Sequence, residues 1–186
     1  MNKDIFQIGG EVSGESFIGR RELVETLRSR FVGSKSRTAV SIVGLLRMGK
    51  TSVVKNTFYD LPEHIIYVYE DLNHSSRYSE LWQFICAEIR DQLQHKGIPT
   101  DEIDDCFRAV DEEQTSWVKM NRSIKKIFAF LAEQRLKTIL VLDEFDNASK
   151  IFTEGVKHFE LFRTIFSDGK YNVSAITVSR RSLHMI

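Results

Sequence analysis

The chain is short of nearly everything that would mark a secreted, membrane-spanning or strongly basic protein. Its 186 residues include two cysteines, Cys86 and Cys106. They are isolated and lack metal-ligand spacing, as expected of ordinary thiols in a reducing compartment. Neither sign of charge is in surplus, with 26 Lys and Arg against 26 Asp and Glu. The bulk charge therefore does not mark a nucleic-acid-binding domain, although it leaves a local patch open. No apolar run reaches membrane-spanning length, and the start MNKDIFQIGG has no signal-peptide core. There is no repeat and no low-complexity tract. His64, His74, His95, His158 and His184 share no spacing with each other or with the cysteines, and each reads as a surface or capping residue. The expectation is a soluble cytoplasmic protein without a zinc-type site.

What is present is core-forming material. Hydrophobic residues make up 42% of the chain and 13 are Phe, enough for one packed domain over residues 1–186. Residues 1–18, with Gly9, Gly10 and Gly14, read as an irregular lead-in. Leu23, Val24, Leu27 and Phe31 recur at helical spacing, with Gly33 as the C-cap. Ala39–Val43 and Ile65–Tyr69 read as buried strands. Leu81, Ile85, Ile89 and Leu93 form a helical stripe over 77–95. The acidic stretch 97–117 reads as a solvated surface segment with a short helix around Ile103 to Val110. Met120, Ile124, Ile127, Phe128 and Leu131 predict an amphipathic helix. Thr138–Leu142 is an uninterrupted apolar run of the kind covered on both faces. A last helix at about 155–167 carries Val156, Phe159, Phe162 and Phe166, and a last strand covers about 172–178. Trp82 and Trp117 suit core or interface packing better than base stacking. Alternating strands and helices predict an α/β sheet covered by helices on both faces, with ligands bound beyond the strand ends.

The stretch Gly44-Leu45-Leu46-Arg47-Met48-Gly49-Lys50-Thr51-Ser52 sits between a strand and a helix. That is the context a G-x-x-x-x-G-K-[ST] phosphate loop requires. Its glycines let successive N–H groups curl towards phosphate oxygens, and the helix adds its own N–H groups and dipole. Lys50 is placed to reach the β- and γ-phosphates, and Thr51 to ligate Mg²⁺.

Asp143-Glu144-Phe145-Asp146 follows the apolar strand. Charge at such a strand end is costly without a purpose. Asp143 is placed to hold Mg²⁺ and Glu144 to deprotonate an attacking water; helix capping is the plainer alternative. For Asp146, capping the next turn and a role near the metal weigh equally. The last strand delivers Ser179, suited to a phosphate or water contact, and Arg180, suited to charge developing on the γ-phosphoryl group. Two solvated arginines at a strand exit are the plainer alternative.

Phe17-Ile18-Gly19-Arg20, GLLRMGKTS, TILVLDEFD and TVSRR, in that order, resemble a STAND-type or archaeal-ATPase-type P-loop NTPase. This group is related to the AAA+ ATPases and includes NB-ARC switch domains. The resemblance covers about residues 10–183. It implies a three-layer sheet of mainly parallel strands and an adenine pocket lined by Phe17 and Ile18, supported by Gly19 and Arg20. It implies ATP or ADP with Mg²⁺, a Walker B pair in Asp143 and Glu144, and a γ-phosphate-reading Arg180. Arg21 departs from the usual acidic residue after Gly-Arg. Relatives have strand order 5-1-4-3-2 and a lid domain. Here the order becomes 2-3-4-1 without the fifth strand. The first strand is then an edge although TAVSIV reads as buried. An N-terminal fragment lacking its lid, or an edge covered by a partner, follows as an expectation. The implied function is a slow ATP-hydrolysing switch module of a larger signalling or defence-type protein. Its partners would be further domains of the same polypeptide or an oligomerising partner, with nucleic acid not expected for this segment. The rival readings are a nucleotide-bound scaffold that never turns over, and a DNA-handling initiator-like ATPase.

Overall fold

A computed structural model describes residues 20–34, 36–112 and 115–181. Four parallel strands form one sheet: β1 (Ala39–Val43), β2 (Ile65–Asp71), β3 (Lys137–Asp143) and β4 (Val173–Ser179), in the order β1-β4-β3-β2. This is the predicted 2-3-4-1. The helices are α1 (Arg21–Arg28), α2 (Lys50–Thr57), α3 (Tyr78–His95), α4 (Asp104–Asp111), α5 (Trp117–Glu133), α6 (Ala148–Ile151) and α7 (Val156–Ser167). A π-helical turn over Ser29–Gly33 extends α1, so Gly33 ends the helical stretch and Ser34 caps it.

The two-residue period of a strand divides the core. On β3, Leu140 and Leu142 join a large apolar cluster with α3, α4, α5 and α7, whereas Ile139 and Val141 join a second cluster with α1 and α2. All seven residues of β3 are buried, because strands flank it on both edges and helices cover both faces. Leu81, Trp82, Ile85, Ile89 and Leu93 of α3 are fully enclosed.

Three expectations need correction. β1 is not a buried strand: it alternates exposed and half-buried, with Val43 48% exposed. Its pairing among the described residues is with β4 on one side. The inward face of α7 is His158, Leu161, Phe162 and Ile165. Val156 is 78% exposed, because positions 158, 161, 162 and 165 share one face at about 100° per residue and Val156 and Phe159 lie off it. His158 is therefore neither surface nor capping: it is buried and stacks on Tyr78 at 4.2 Å and Trp117 at 4.9 Å between ring centroids. Burial holds its pKa below the usual imidazole range. In the acidic stretch the short helix does form. Cys106, Phe107, Ala109 and Val110 point inward, and the acids stay outside.

Candidate functional site

The C-terminal ends of β1, β3 and β4 sit side by side because the sheet is parallel, so the segments leaving them share one rim. From β1 the chain enters the glycine-bounded loop, where Leu45, Leu46 and Met48 are exposed. Gly49 has φ 71° and ψ 24° at the N-cap of α2, a left-handed conformation that glycine adopts without a Cβ clash. Arg47 also has a positive φ, 60°, at a cost of about 1 kcal/mol for a residue with a side chain. The first backbone bond of α2 runs from Val53 N–H to the Gly49 carbonyl at 3.0 Å. The N–H groups of Lys50 and Thr51 therefore fall in the first turn of α2, where a helix has no carbonyl of its own for them. The Lys50 ammonium donates to the carbonyls of Gly44 at 2.8 Å and Leu45 at 3.0 Å, which folds it back over the loop.

Asp143 is the pivot. It is 3% exposed, and its carboxylate accepts hydrogen bonds from three elements. Thr51 Oγ1 and Tyr69 Oη each donate to Oδ2 at 2.7 Å, and the Glu144 N–H donates to Oδ1 at 2.7 Å. A charge this buried persists only when hydrogen-bonded in this way. Thr51 and Asp143 together present an oxygen-only pair on neighbouring elements, the donor chemistry that Mg²⁺ takes. The residues present therefore fit the ion that the phosphate loop implies.

Glu144 sits at φ 49° and ψ 42°, a left-handed kink directly after the strand. Its carboxylate pairs with the Arg180 guanidinium at 2.8 Å. Asp146, open between two roles in the sequence, accepts the N–H groups of Arg180 at 2.7 Å and Arg181 at 3.2 Å. It thereby fastens the exit of β4 to the turn after β3. Burial opposes its ionisation, but those backbone donors together with the charge of Arg181 outweigh it and hold the carboxyl below the usual range. Ser179 is 1% exposed, and its hydroxyl donates to the Arg181 carbonyl at 2.7 Å. It shapes the turn that carries Arg180. The Gly44 N–H bonds the Ser179 carbonyl at 3.2 Å, tying the loop to the same strand.

Lys50, Thr51, Asp143, Glu144 and Arg180 thus come together from three segments far apart in sequence. Arg20 caps α1 with φ 52° and is exposed; Phe17, Ile18 and Gly19 lie outside the described residues. Ser52 is buried in the first turn of α2. Sequence reading missed Tyr69. Parallel pairing sets Tyr69 opposite Val141, so its side chain shares a sheet face with Asp143 two residues on. Once β2 is taken as the neighbour of β3, the parity of Ile65, Tyr67 and Tyr69 is the signal that reveals it.

Residues 16–159 match a family model described as an AAA ATPase domain. No curated protein matches the sequence. Among solved structures, a Walker-type ATPase of Pyrococcus abyssi is similar with TM-score 0.58 and 17% identity, over 94% of this chain and 49% of that one. The Aeropyrum pernix ORC1 protein in complex with DNA gives 0.55 and 18%, over 89% and 38%. Drosophila ORC bound to DNA gives 0.60 and 12%, again over 89% and 38%. At these identities the likeness is one of fold, and the chain spans half or less of each of these structures.

Proposed function

The chain belongs to the AAA ATPase domain family, and from that premise we propose that it is a Mg²⁺-dependent ATP-binding module that hydrolyses ATP slowly, as a STAND-like switch. The observation that carries this is the meeting of phosphate-loop Thr51 and strand-end Asp143, hydrogen-bonded at 2.7 Å. Lys50 and the loop N–H groups bind the phosphates, and Thr51 and Asp143 hold the metal. Mg²⁺, when bound, neutralises charge on the β- and γ-oxygens.

Glu144 is the general base and Arg180 the group that meets charge on the γ-phosphoryl. Their 2.8 Å pairing supports a switch. While they are paired the Glu144 carboxylate is occupied by the guanidinium, and Arg180 is free to assist only after leaving it. A γ-phosphate, being more highly charged, competes for Arg180 and so uncovers Glu144. Hydrolysis removes the competitor and the pair re-forms. Slow turnover keeps the triphosphate state long-lived, which suits a signal. Among the described residues β1 pairs on one side and Val43 is 48% exposed, which supports cover by further domains of the protein or by a partner. Among the described residues no helix is long and apolar enough to cross a membrane.

Thermal-shift measurements with ATP and ADP, run beside a phosphate-release assay, test the proposal. Stabilisation by both nucleotides with slow Mg²⁺-dependent release is expected. Stabilisation without any release would favour a non-hydrolysing scaffold.

A further inference from the structure

The balanced overall charge hides a segregation that the fold creates. In α5, Lys119, Arg122, Lys125 and Lys126 face a single acid, the terminal Glu133. Along this helix and the turn before β4 runs an open groove of about 510 Å³, which Asn121, Arg122, Lys125, Lys126, Lys170 and Tyr171 help to line. No acid lines it. Several acids of the segment before α5 are matched within the chain, and Lys170 itself pairs with Asp168 at 3.6 Å. Asp104 and Asp111 pair with Arg90 at 3.9 and 3.7 Å, Asp105 pairs with Arg108, and Glu112 pairs with Lys119 at 2.9 Å. Among the described residues, Arg122, Lys125 and Lys126 have no carboxylate within ion-pair distance. Beyond Lys170 the basic track continues to Arg37, which lies against Gly169 and bonds the Phe166 carbonyl at 3.1 Å. Arg37 and Lys170 precede β1 and β4, at the opposite end of the sheet from Lys50.

We propose that this track binds the phosphodiester backbone of a nucleic acid. Cations in series, most of them lysines acting as point charges, suit a chain of regularly spaced phosphates. The inference goes beyond the ATPase reading and does not depend on it.

The test is fluorescence anisotropy with labelled single-stranded DNA, single-stranded RNA and duplex DNA of about 20 nucleotides, longer than one single-strand site. The wild-type chain is compared with an Arg122→Gln/Lys125→Gln/Lys126→Gln variant and with Lys50→Ala. Salt-dependent binding is expected, about tenfold weaker in the triple variant, with the log–log salt slope reduced by about 2. Lys50→Ala should bind the oligonucleotide unchanged. Should the triple variant fold poorly, Lys126→Gln alone, at an exposed position, should still lower the slope by a little under 1. No salt-dependent binding by the wild type would overturn the proposal. So would binding by the folded Arg122→Gln/Lys125→Gln/Lys126→Gln variant equal to that of the wild type, or competition by a polyglutamate peptide as effective as by the oligonucleotide, which would point to an acidic protein partner.

Discussion

Replacing Tyr69 with Phe removes one hydroxyl and leaves the ring, including its 4.9 Å contact with the Lys55 ammonium. The perturbation therefore falls on the 2.7 Å bond to Asp143 Oδ2. A hydrogen bond to a charged group contributes about 1.5–3 kcal/mol. Asp143 is almost wholly buried, so water cannot replace the lost donor. Tyr69→Phe should thus cost about 2 kcal/mol, a fall of about 4–8 °C in Tm for a domain of this size. The assay is thermal denaturation without nucleotide, extended to a double-mutant cycle with Asp143→Asn. Because both changes act on one contact, the cycle should show a coupling of at least about 1 kcal/mol. Additive effects, or a Tm shift below about 1 °C, would refute the view that Tyr69 holds the metal-site carboxylate.

Glu70 provides a second test. Burial raises its pKa from 4.5 to about 7, against a lowering by His74, and Asp71 raises it further. Its contribution is fully present below 4.5 and is lost as pH rises through about 7. Glu70→Gln should flatten that decline and raise Tm relative to wild type on the alkaline side, as followed by denaturation across pH. At Asp146 the sign is opposite. Its lowered carboxyl stabilises above the ordinary carboxylate range and loses that effect as pH falls through the folded-state pKa. Asp146→Ala should blunt the acid-side loss and also slow ATP turnover, because two backbone donors that set Arg180 lose their acceptor; Tm against pH and phosphate release check both.

Much of this was legible in the sequence, for local reasons. The phosphate loop announces itself because strand, glycine-bounded turn and helix are contiguous, and β3 because its middle, Ile139 to Leu142, is an unbroken apolar run covered on both faces. The remainder depends on contacts that no local pattern encodes. The partners of Asp146 lie 34 and 35 residues away, so its role stays ambiguous until β3 and β4 are neighbours. Tyr69 looks like any half-buried strand residue until register fixes it beside Asp143. The inward face of α7 was misread because Phe159 is apolar yet off the buried stripe. The cationic groove is invisible in a balanced composition, since only folding separates the paired acids from the unpaired bases.

The most direct measurement of the central claim is the identity of the nucleotide retained by Glu144→Gln after incubation with Mg²⁺ and ATP and removal of free nucleotide. If Glu144 activates the water at a site built by Lys50, Thr51, Asp143 and Arg180, the variant should retain ATP while the wild type carries ADP. ADP on the variant, formed at the wild-type rate, would contradict the account.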